Sequence, residues 1–126
     1  QNDYEAAESH YREALRVDSE FVEALNNLGL LLRDLERAEE AVPVLERAVE
    51  LRADFGEGWL NLALAREETG NAGAALDAYQ RAVRLLPQDP TARANLGMLM
   101  LSQGNMEQAA IELRRALPLA RGDVAA

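Results

Sequence analysis

Asn27, Asn61 and Asn95 fall 34 residues apart, in the related stretches NNLGLLL, LNLALA and ANLGMLM. Each precedes a leucine and then a small residue. Asparagine is a poor interior helix residue because its amide competes for backbone hydrogen bonds, so its return at one phase asks for a use. A carboxamide offers one acceptor and two donors. A row of them suits binding rather than bond breaking, because it can pair with the regularly spaced polar groups of an extended peptide. The competing use is internal: each amide bonds within its own repeat and fixes a neighbouring helix end.

Residues able to do other chemistry are few. His10 is the only histidine, so a histidine metal site or a Ser-His-Asp relay has no material. It reads as a solvated surface residue. No metal and no cofactor is expected. The chain has no cysteine, hence no disulfide or thiolate site, and every one of its 13 basic residues is arginine, which removes lysine-based chemistry. The pairs Glu39–Glu40 and Glu67–Glu68 are adjacent in sequence and point in different directions on a helix, as a solvated face does. Gly56–Glu57–Gly58 lacks the third glycine, preceding strand and following lysine of a phosphate loop. No catalytic constellation emerges, and the chain is read as not an enzyme.

Bulk properties narrow the class further. The 126 residues are 48% apolar with a net charge of −9. That is one domain's worth of chain, rich enough for a core, and its surface repels phosphates, disfavouring nucleic acid and anionic membranes. No apolar run approaches a membrane span and no signal peptide opens the chain. The expected location is cytoplasmic, with the periplasm or another compartment left open, because Gln1 begins inside a repeat and the chain is expected to be a fragment.

The elements that position the asparagines follow from period. The pattern Ala, three residues, bulky apolar, two residues, Ala occurs four times in steps of 34: Ala7–Tyr11–Ala14, Ala41–Leu45–Ala48, Ala75–Tyr79–Ala82 and Ala109–Leu113–Ala116. Leu28–Gly29, Leu62–Ala63 and Leu96–Gly97 precede three of them at the same period. Leu25, Leu28, Gly29 and Leu32 have i, i+3, i+4, i+7 spacing, as do Trp59, Leu62, Ala63 and Arg66. Gly70 and Gly104 sit where a helix stop wants a left-handed residue, and Asp89–Pro90 reads as an N-cap and first turn. Each unit is therefore two short helices, and seven helices are predicted near 3–17, 22–35, 38–52, 56–69, 73–86, 90–103 and 107–120. Pro43, inside the third, removes a helix hydrogen bond unless it lies in the first turns. Phe21 and Phe55, also 34 apart, precede first helices and read as staples on their early turns rather than as ligand contacts.

These motifs resemble the tetratricopeptide repeat family, whose signature runs W-x2-L-G-x2-Y, A-x3-F, A and P. One unit supplies Trp59, Leu62, Ala75, Tyr79, Ala82 and Pro87 in the matching places, and departs at Ala63 and Arg66. Its neighbours keep Leu-Gly and both alanines but carry Leu25 and Arg93 for the tryptophan. The resemblance covers about three and a half repeats, divided as the second helix of a truncated first repeat (1–21), then 22–55, 56–89 and 90–126, in one domain over 1–126. It implies an all-α, right-handed superhelical stack of helix-turn-helix units, an α-solenoid. Small residues at Gly29, Ala63 and Gly97 are expected to let paired helices approach closely, with Trp59 structural.

It also implies a non-catalytic protein-interaction scaffold or adaptor, gripping an extended segment in a concave groove. The stripe expected to line that groove runs Glu57, Asn61, Leu64 and Glu67/Glu68, with Glu23, Asn27, Leu30 and Asp34 before it and Thr91, Asn95, Met98 and Leu101/Ser102 after it. One subgroup of the family clamps a C-terminal carboxylate with cations and amides. Asn27 and Asn61 resemble its amides, but Glu57, Thr91 and Asn95 occupy the places of the cations, so a clamp is not expected. Five acidic residues of the stripe face Arg33 alone, so the expected partner is a basic, partly apolar peptide, held less well as salt rises. Asn61→Ala is expected to weaken binding more than stability. The alternative is an assembly module without a groove ligand. The apolar side of the first helix, with Tyr4, Ala7 and Tyr11, lacks its cover, and Pro118 with the RGDVAA tail stops the pattern unpolarised. Self-association end to end, or by swapping of helices, is expected at high concentration.

Overall fold

The computed structural model describes residues 2–122. Over them the chain forms α1 (Asp3–Val17), α2 (Val22–Asp34), α3 (Ala38–Leu51), α4 (Gly56–Glu68), α5 (Ala72–Leu85), α6 (Pro90–Ser102) and α7 (Met106–Ala120), with no strand among the described residues. Every helix lies within about one residue of its predicted span, because the starts and stops are chemically marked. The Asn2 side chain accepts from the Glu5 N–H at 2.8 Å, and that of Asp89 accepts from Thr91 N–H at 2.8 Å with Pro90 opening α6. At the far end of α4, Gly70 takes φ of 83° while Asn71 N–H bonds the Arg66 carbonyl at 2.8 Å. That is the glycine-stopped helix terminus.

Pro43 is the sixth residue of α3, past the first turn, yet the helix runs on through it. Its ring is exposed, so the carbonyl of Glu39 that loses its partner lies on the solvent side. Pro118 likewise lies inside α7, which continues to Ala120; the last four residues of the RGDVAA tail lie outside the described residues.

The helices pack pairwise, most closely as α2 with α3, α4 with α5 and α6 with α7, and the pairs stack in a right-handed superhelix. Within a pair the approach is set by small residues. A Cβ on Gly29 would overlap the Leu45 side chain, and one on Gly97 would come within 2.8 Å of Leu113 Cγ. At the same phase in α4, Ala63 keeps its methyl group in the buried cluster that contains Tyr79 and Ala82. Leu28, Leu32, Leu45 and Leu62 form the neighbouring cluster.

Trp59 touches both clusters and is half-buried rather than enclosed, with Nε1 donating to the Ala53 carbonyl at 2.8 Å. Phe55 packs back on the Val22–Leu25–Ala48 cluster and against Gly58, as a staple should, whereas Phe21 is left 43% exposed. No residue of α1 is buried. It is held to the array by Tyr11 and Leu15, which pack on the neighbouring clusters, and by Arg37, which bonds Glu8 on α1 at 2.8 and 3.1 Å and Glu40 on α3 at 2.6 and 2.9 Å.

Candidate functional site

The first helices of the three complete pairs, α2, α4 and α6, carry the asparagine stripe. α2 and α4 also approach each other directly, and their facing side chains show how the stripe is built. Asn61 Nδ2 donates to Asn26 Oδ1 at 2.9 Å, and Arg33 on α2 forks onto Glu68 on α4 at 2.8 and 3.2 Å. Both links join residues 35 apart, with partners seven residues apart on each helix, so they lie on one edge of each.

The asparagines thus differ from one another. Asn61 bonds neither within its own repeat nor to open solvent alone; its amide is shared with the preceding pair. Asn27 is exposed and Asn95 half-buried, and the side chain of neither makes a hydrogen bond to another described residue. Leu30 and Met98 stand 39% and 56% exposed on the same stripe, while Leu64 is partly packed on the core.

The acidic lining is weaker than a count of residues suggests. Glu68 is neutralised by Arg33, and Glu23 by Arg52 at 3.1 Å. The Glu23 carboxyl is held below its ordinary range by its own backbone N–H and by that guanidinium. Glu67 points away from Glu68, as adjacent helix residues must, and accepts from the Tyr79 hydroxyl at 2.6 Å. Burial, and then that carboxylate, push the Tyr79 phenol far up, so it stays a donor. Asp34 and Glu57 remain exposed without an ion-pair partner among the described residues.

Two participants escaped the sequence reading. Asn26 is 7% exposed, and its equivalents at 34-residue steps are Leu60 and Ala94. A polar residue at an apolar phase needs a partner, and that was the available signal. The partnership of Glu23 with Arg52 carried no signal, since Arg52 belongs to the turn after α3. His10 is exposed, and among the described residues no group of His, Cys, Asp or Glu could hold a metal ion. Nor is any helix of these residues long and apolar enough to cross a membrane.

Comparison with known proteins agrees with this architecture. The sequence profile described as tetratricopeptide repeat matches residues 1–57, 32–90 and 60–124. Among solved structures, a double mutant of MamA RS-1 superposes with a TM-score of 0.90 at 22% identity, over 98% of this chain and 70% of that one. MamA from residue 41 to its end, from Desulfovibrio magneticus RS-1, gives 0.88 at 23% identity over the same shares. YrrB, described as a TPR protein with an unusual peptide-binding site, gives 0.82 at 28% identity, over 92% of this chain and 60% of that one. No curated protein sequence matches significantly. The fold supports a protein–protein interaction module. With a profile that runs the length of the sequence and helices that stack as its repeats require, the chain belongs to the tetratricopeptide repeat family.

Proposed function

We propose that this chain is a non-catalytic interaction module that holds an extended, basic and partly apolar protein segment along α2, α4 and α6. The observation that carries the reading is the row of exposed or half-buried groups on these neighbouring helices. Asn27 and Asn95 keep their amides unengaged, Leu30 and Met98 offer apolar contact, and Asp34 and Glu57 supply unpaired negative charge. A segment's backbone would pair with the amides, and its basic side chains would meet Asp34 and Glu57. The charges mainly speed encounter and exclude acidic partners, while the amides and apolar groups hold the segment. The likeness to YrrB, which carries a peptide-binding site, supports the class of ligand.

The bond to buried Asn26 changes the choice of probe. Asn61→Ala would strand the Asn26 carbonyl and cost ~1–3 kcal/mol of stability, mixing two effects. Asn27→Ala with Asn95→Ala avoids this. Titration calorimetry with an arginine- and leucine-bearing peptide should show affinity that falls with salt and falls again in the double variant, at unchanged melting temperature. Unchanged affinity in that variant would remove the site assignment.

A second reading is end-to-end assembly, favoured by exposed apolar groups at both ends: Tyr4 on α1, and Met106 and Leu117 on α7. Such association leaves the α2–α4–α6 stripe free, so both uses are compatible.

A further inference from the structure

The last helix pair carries a cleft on the side away from the asparagine stripe's residues. It holds about 550 Å³ between α5, α6 and α7, with Val83, Leu96 and Met100 forming the apolar part of its wall. None of its lining residues belongs to the asparagine stripe.

The equivalent space one repeat earlier is filled. There Trp59 stands in the place of Arg93, Arg66 in that of Met100, and Ala78 in that of Glu112. The indole lies 4.7 Å beneath the Arg81 guanidinium, its N–H on the Ala53 carbonyl, while Arg66 reaches the Ala74 carbonyl at 3.1 Å. A smaller space of about 160 Å³ lies beside Trp59, lined by Ala53, Arg81, Arg84 and Leu85. In the last pair Arg93 points to the Pro87 carbonyl, the counterpart of Ala53, at 3.4 Å, but a narrow guanidinium does not replace an indole's volume. The wedge is missing and the cleft is what it leaves.

The vacated space has a definite charge. Arg93 and Arg115 share the Glu112 carboxylate at 3.3 and 3.0 Å, and Glu112 is only 7% exposed. Arg84, also on the wall, is exposed and makes no ion pair with a described residue. Three guanidiniums therefore face one carboxylate, on a chain whose net charge is −9.

We propose that this cleft is a second docking site, of opposite polarity to the stripe, for a protein segment that inserts one aromatic side chain flanked by carboxylates. The aromatic ring takes the room that Trp59 fills one repeat earlier, beneath Arg115 as Trp59 lies beneath Arg81, its counterpart 34 residues before. A guanidinium over a ring face is attractive on both electrostatic and apolar grounds. The flanking carboxylates meet Arg84 and the shared Arg93–Arg115 pair, whose single carboxylate leaves positive charge unspent.

The test is titration of the 126-residue chain with the capped peptide Glu-Glu-Trp-Glu-Glu, alongside a peptide with alanine for tryptophan and one with lysine for glutamate. Only the first should bind through the cleft, more weakly as salt rises. Arg93→Trp combined with Glu112→Ala recreates the Trp59–Ala78 arrangement and closes the cleft; it should lower affinity by about tenfold or more while the melting temperature holds or rises. Arg84→Glu, at a position with no partner to lose, should also weaken binding, and it decides the matter if the double variant folds poorly. Binding of the alanine peptide equal to that of the tryptophan peptide reduces the effect to general charge attraction and overturns the proposal. Affinity unchanged in both protein variants, or no binding at millimolar peptide, overturns it as well. Because Asn27 and Asn95 lie outside the cleft, their replacement should leave this binding intact, which separates it from the stripe.

Discussion

Glu36 sits at the phase of Gly70 and Gly104 and adopts the same left-handed conformation, with φ of 60° against 83° and 82°. The turn is bonded alike, with Arg37 N–H on the Leu32 carbonyl at 2.7 Å, so the helix stop is made without the residue suited to it. A side chain in that region costs ~1–2 kcal/mol, and Glu36→Gly should recover ~1 kcal/mol in urea denaturation. The opposite outcome is expected at Gly29. There a Cβ would overlap Leu45, so Gly29→Ala should cost ~1–3 kcal/mol, and pairing it with Leu45→Val should return part of the loss. At this scale the sequence told which residues share a phase, and it picked out Asn27, Asn61 and Asn95 on that basis. It did not tell which residues meet across helices. The links between α2 and α4 run at 35 residues rather than 34, a stagger set by how the helices lean on one another.

Helices were the most legible elements, because caps, glycine stops and apolar spacing all coincide at their ends. The fate of Pro43 was not: whether a helix survives a proline depends on whether the orphaned carbonyl faces solvent, which is a property of the packed array. Packing between α4 and α5 leaves Ala82 with no exposed surface, and Ala82→Leu should lower stability by ~1–3 kcal/mol in thermal or urea melts. The attachment of α1 should respond to pH. Arg37 first, and Arg12 after it, hold the Glu8 and Glu40 carboxyls below their ordinary range. Carboxylates with lowered native values stabilise fully above the unfolded value of ~4.3, and the contribution fades as pH falls through the native values. Amide exchange in α1 should therefore quicken on acidification below that point before exchange in α4 does, and Glu8→Gln should flatten the response.

For the molecule as a whole, repetition at a fixed period made the superhelix readable, since four in-phase copies permit little else. The candidate binding stripe was readable as a list of residues but not as a charge distribution, because Arg33 and Arg52 cancel two of its carboxylates through contacts between helices. The apolar ends predict concentration-dependent association. Sedimentation should show mass rising toward millimolar concentration, and Tyr4→Ser with Leu117→Ser should suppress it; a strict monomer throughout would exclude assembly through the ends. The ties between α2 and α4 bear on one more property. Asn61–Asn26, Arg33–Glu68 and the Arg66–Glu46 pair at 3.4 Å all strap the α2–α3 pair to α4. Among the described residues, no side-chain hydrogen bond or ion pair links α4 or α5 to α6 or α7, and the cleft lies open beside that joint. Considered as a spring, the array has a coil with polar ties and a coil closed by apolar packing alone. Pulled from its ends, α1, which buries no residue, should part first, and of the joints between complete pairs the one between α5 and α6 should yield before the strapped one between α3 and α4, so a partner gripping both halves would bend the molecule there.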